Sequence, residues 1–111
     1  MKILSIFLLI LAGCATKTQI TKFKDVSCEN KTNPEIFFKD EKPKKEYEKI
    51  ALLTGDNSKN GNITEDEIFK ELQSKAGDIC ADALLVQNID DTQGFLKQIK
   101  VIRVIAVKYK N

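Results

Sequence analysis

The first fourteen residues restrict this chain more than any later stretch. Lys2 is a lone basic residue, Ile3 to Leu11 is an apolar run broken only by Ser5, and Ala12-Gly13 are the small residues a signal peptidase accepts. The run is too short to cross a bilayer, which takes about 20 apolar residues. It reads as an export signal over residues 1–13, removed ahead of Cys14. What then folds is 98 of the 111 residues, enough for one modest core and too few for two.

Leu11-Ala12-Gly13-Cys14 resembles a bacterial lipobox. The resemblance implies a diacylglyceryl thioether on Cys14, acylation of the new amino terminus, and a membrane as the first partner. Several acyl chains anchor stably where one does not, at about 0.8 kcal/mol per buried methylene. The plainer alternative is ordinary secretion with a cysteine that happens to follow Gly13. Ala15 occupies the position where an Asp resembles an inner-membrane retention signal in enterobacterial lipoproteins. Its absence points to the outer membrane, with the domain facing the periplasm. Removal of Lys2 leaves 17 basic against 16 acidic residues, with no basic block of the kind that binds nucleic acid. The one charge-dense stretch, Lys39 to Lys49, mixes signs around Pro43 and reads as a solvated loop, with a partner-binding patch as the sharper alternative.

Three cysteines less Cys14 leave Cys28 and Cys80, an even pair in an oxidising compartment. A bridge between them would close a loop of about 52 residues and contribute up to about 4 kcal/mol in the chain-entropy picture. The alternatives are two free thiols or a thiolate pair on a metal. Zinc sites normally take three or four N or S ligands, and the chain has no histidine.

Residues 14–26 form a lipidated tether ahead of a domain over 27–111, with Ala15 to Lys24 reading either as that tether or as a first edge strand. Glu35 to Phe38 is a short strand candidate. Tyr47 to Thr54 is a stronger one, with Tyr47, Lys49, Ala51 and Leu53 on one face and Ile50 and Leu52 on the other. Gly55 to Asn62 is a polar loop. Thr64 with Glu67 makes a capping box, and Ile68, Phe69, Leu72 and Ala76 make one helical stripe that ends near Gly77 to Cys80. Ala83 to Gln87 is the next strand, Asp90 to Gly94 a turn, and Lys100 to Lys110 the last strand. That strand is apolar on both faces and so belongs inside the sheet. Strands, one helix, then strands give an α+β fold: a small, mostly antiparallel sheet with one helix packed on one face.

Pro43-x-x-x-Tyr47-x-x-Ile50-Ala51, a helix ending in Lys75-Ala76, and Ala81-Asp82-Ala83-Leu84-Leu85-Val86 together resemble the YbjQ-type fold. That fold is shared by small metal-binding proteins and by many envelope lipoproteins. The stretch is also similar to the RcsF-like domain of outer-membrane lipoproteins that sense envelope stress. The resemblance covers about residues 34–110. It implies the α+β fold rather than an activity; an envelope protein is a separate expectation for the partner. A Gly usually precedes the Ala-Asp-Ala run, where it suits a left-handed helix cap; here the position is Cys80. RcsF-like domains carry more than one disulfide, and only one is possible here.

Asp56-Asn57-Ser58-Lys59-Asn60-Gly61-Asn62, followed by Glu67, matches the spacing of an EF-hand calcium loop. Gly55 before it disfavours an entering helix, and Thr64 and Glu67 already serve as a cap. A Ser-His-Asp or Cys-His catalytic set is excluded without histidine. Asp82, Asp90 and Asp91 are ordinary strand-end and turn residues. No catalytic residue, resident metal or cofactor is therefore assigned. The leading expectation is a lipid-anchored, non-enzymatic interaction or sensor module. The alternative is a lipoprotein that binds weak calcium over Asp56 to Glu67, or another ligand.

Overall fold

The computed structural model describes residues 17–59, 61–93 and 98–110. Residues 1–13, read above as an export signal, and Cys14 lie outside the described residues. Five strands and one helix follow in the order β1 (Lys17–Lys22), β2 (Glu35–Phe37), β3 (Tyr47–Asp56), α1 (Glu65–Asp78), β4 (Ala83–Gln93) and β5 (Gln98–Tyr109). They build one five-stranded sheet in the spatial order β1-β3-β5-β4-β2. Every pairing is antiparallel except β2 with β4, which is parallel. The α+β expectation holds, and β5 is the central strand, as its two apolar faces require.

Of the two readings of Ala15 to Lys24, tether or first edge strand, the sheet takes the second: Lys17 to Lys22 pair with Asp56 to Ala51 across β3, ahead of residue 27, as an edge strand. Its pattern is weak because only one side meets the protein, and five of its six residues are exposed. The hairpin β4–β5 is also longer than expected. Asp90 and Asp91 lie within β4, opposite Val101 and Lys100, rather than in a turn. Asp90 meets Arg103 and Asp91 meets Lys100, so cross-strand charge pairs carry a ladder that composition alone reads as loop.

In β3 the simple alternation fails at Ile50, where a bulge shifts the register between Lys49 and Ala51. Ile50 and Ala51 consequently both enter the helix-side core, and Leu53 follows them. Tyr47 belongs instead to a second cluster with Ala83, Leu85, Val107, Phe37, Ile105 and Tyr109. The helix-side core joins Ile68, Leu72 and Ala76 of α1 to Leu53, Leu84, Ile102 and Val104 of the sheet.

Helix α1 begins as its sequence dictates. Thr64 accepts a hydrogen bond from the Glu67 backbone N–H, and the Glu67 carboxylate accepts one from the Thr64 backbone N–H. Its other end is a Schellman cap. The N–H of Ala81 donates to the Ala76 carbonyl and that of Cys80 to the Gly77 carbonyl. Cys80 takes the left-handed conformation, with φ of 60°. The position keeps the geometry that suits glycine although the side chain is a cysteine.

Candidate functional site

From this left-handed cap position Cys80 is bonded through its sulfur to Cys28. The two Cα atoms lie 5.4 Å apart, inside the range for a disulfide. The bridge fixes residues 28–34 along the C-terminal turns of α1. The Thr32 N–H donates to the Gly77 carbonyl at 3.1 Å, and the Thr32 hydroxyl donates to the Ala81 carbonyl. Gln73 Nε2 donates to the Pro34 carbonyl at 2.9 Å. Lys31 reaches Ser74 Oγ and Asp78 from the same side. A segment with little regular structure thereby becomes a clasp on the helix exit and delivers the chain into β2.

The loop before α1 uses its polar groups internally. Asp56 Oδ1 accepts from the Ser58 N–H at 3.0 Å and from its hydroxyl at 2.6 Å. Asn57 is buried; its Nδ2 donates to the Ile63 carbonyl, and its Oδ1 accepts from the Lys100 N–H at 2.8 Å. Glu67 is engaged at the helix cap. The acidic ends of the calcium-type spacing are thus tied to local donors. Asn60 lies outside the described residues. Among those described, no group of three or more His, Cys, Asp or Glu side chains stands ready for a metal.

Beside the loop, Lys100 bridges Glu65 at 2.9 Å and Asp91 at 3.3 Å. The hydrogen bond to Glu65 is the main reason its ammonium is held above the usual lysine range; burial opposes this, and Asp91 adds to it. Asp82 has a structural role as well: its carboxylate accepts the Tyr109 N–H at 2.8 Å.

At the far end of β5 the charge-dense stretch changes meaning. Glu41 accepts from the Phe38 N–H, and Glu48 pairs with Lys24 at 3.0 Å. Lys42, Lys44 and Lys45 line a shallow cavity of about 390 Å³ with Glu35, Phe37 and Tyr109. A second hollow of about 610 Å³ shares Lys45 and Tyr109 and adds Lys108, Lys110 and Asp82. Lys45 Nζ stands 5.4 Å from the centre of the Tyr109 ring, a cation–π contact. Among the described residues, Lys42, Lys44, Lys45 and Lys110 make no ion pair. Burial, then the charges of Glu35 and Asp82, push the Tyr109 phenol above its usual range. An aromatic floor with flexible cations at its rim can hold an acidic group by charge, without the bidentate geometry arginine would supply. The sequence showed the lysines but not which acids beside them would be occupied.

Comparisons with known proteins return no matching family model, no matching curated protein and no matching solved structure.

Proposed function

We propose that this chain is a lipid-anchored lipoprotein of the cell envelope, held at the outer membrane, whose domain is a non-enzymatic interaction or sensor module facing the periplasm. The observation that carries the reading is Leu11-Ala12-Gly13-Cys14 at the end of a short apolar run. The Cys28–Cys80 bridge adds support, because such bonds persist in oxidising compartments. The resemblance of residues 34–110 to YbjQ-type and RcsF-like domains points the same way. The lysine-rimmed Tyr109 groove is the surface best suited to an acidic partner in that compartment.

Cys14→Ser tests the proposal. The variant should accumulate as an unprocessed precursor without lipid, and mass spectrometry of the wild-type amino terminus should show acyl mass on Cys14. A wild-type protein exported without lipid would overturn the reading.

A further inference from the structure

The end of the sheet nearest the anchor carries an inference that rests on the lipid-anchored reading and deepens it. Strand β1 begins at Lys17, three residues after Cys14. Three residues span at most about 11 Å in any conformation. A lipid on Cys14 therefore confines the start of β1 to the membrane surface and leaves no length for a flexible stalk.

The composition of this stretch suits that position. Ala15 to Lys24 contains Lys17, Lys22 and Lys24 and no acidic residue. Only Lys24 of the three has an ion-pair partner among the described residues, Glu48. Ile20 and Phe23 are 38% and 54% exposed, two of the three exposed large apolar side chains among the described residues. On its inner side β1 is fixed to β3 over six paired positions, and the Phe23 N–H continues the contact by donating to the Ile50 carbonyl at 2.8 Å. Its outer side is the edge of the sheet. Such an edge invites pairing with other chains unless something covers it.

We infer that β1 is a membrane-contact strand: it meets the anionic lipid surface to which Cys14 is anchored edge-on, so that side chains from both of its faces reach the bilayer, Ile20 and Phe23 entering the interface and Lys17 and Lys22 meeting phosphate headgroups. Two apolar side chains and two lysines bind a bilayer weakly when free. Held within about 11 Å of it, they act at high effective concentration.

The chain has no tryptophan, and Cys28 and Cys80 are bridged. A chain beginning at Cys14 retains every described element, and Cys14 is then its one free thiol. Coupling that thiol to a maleimide lipid installs an anchor chemically, so the test does not depend on whether cells lipidate the protein. In vesicles of phosphatidylglycerol and brominated phosphatidylethanolamine, the Phe23→Trp variant should show blue-shifted, strongly quenched emission. Phe38→Trp, at the exposed phenylalanine before the β2–β3 loop, should show neither. Replacing Lys17 and Lys22 with Ser, or using zwitterionic lipid throughout, should reduce quenching at position 23 severalfold. Equal, weak quenching at both positions in fully coupled protein would overturn the contact, and β1-dependent self-association in that case would assign the edge to a second copy. Quenching indifferent to lipid charge would overturn the role of the lysines. Wild-type protein exported without lipid, against a positive result here, would refute the anchoring reading alone.

Discussion

Cys80 concentrates several demands on one residue. Its left-handed backbone costs about 1–2 kcal/mol for a residue with a Cβ, a cost glycine avoids. The bridge to Cys28 offsets this by restricting a 52-residue separation in the unfolded chain. Two double variants separate the terms. Cys28→Ser with Cys80→Ser should lose about 2–4 kcal/mol in denaturant unfolding. Cys28→Ser with Cys80→Gly should recover about 1 kcal/mol of that, since glycine restores an unstrained cap. Equal stabilities for the two pairs would show that the left-handed backbone carries no such cost. Lys100 supplies a second residue-scale expectation. Its folded-state pKa is raised, so its contribution is fully present below the unfolded value and is lost as pH rises through the folded one, above about pH 10.5. Tyr109 is raised too, and its folded state is likewise penalised as pH climbs past 10. Unfolding midpoints measured from pH 8 to 11 should fall at the alkaline end, and Lys100→Met should flatten part of that fall. An unchanged slope would show that the Glu65–Lys100–Asp91 contacts do not depend on charge.

At the scale of elements, the start of α1 is a local affair and its end is not. Thr64→Ala should cost about 1 kcal/mol, measured by thermal or denaturant unfolding, because one cap hydrogen bond and its reciprocal partner are lost. The same residues decide the calcium question. Asp56 and Glu67 are already satisfied by Ser58 and Thr64, so millimolar calcium should leave the melting temperature unchanged. A site filled at 100 times its dissociation constant would instead add about 2.7 kcal/mol. An upshift abolished by Glu67→Gln would establish the calcium-binding alternative. At the other end of α1, helix propensity recommends replacing Gly77, since Ala gains about 1 kcal/mol in a helix interior. The fold opposes the change. A Cβ on Gly77 would collide with the Thr32 carbonyl oxygen, a backbone atom held in place by the clasp. Gly77→Ala should therefore destabilise the domain, by about 1–3 kcal/mol as overpacking does, and stability above wild type would show the clasp to be pliable.

The whole molecule is a sheet with unequal faces. One face carries α1 over the larger core, and the other has a smaller aromatic cluster around Tyr47 and Tyr109. One edge bears β1 with its lysines and exposed apolar side chains, and the lysine-rimmed groove lies around Tyr109 at the end of β5. Local signals in the sequence determined the class of fold, the helix from Thr64, the central place of β5 and the cysteine pair, because capping, period and compartment act over a few residues or on composition alone. They did not determine β1, the continuation of β4 through Asp90 and Asp91, or the side change at Ile50. A mostly exposed edge strand has no apolar pattern to read, and the ladder partners of the other two lie on distant parts of the chain. The groove was hidden for the same reason. Lys42, Lys44 and Lys45 stand among acids in sequence, and only the tertiary structure decides that Glu48 pairs with Lys24, that Glu41 caps its own turn, and that Lys108 of β5 and Lys110 just after it line a hollow shared with Lys45.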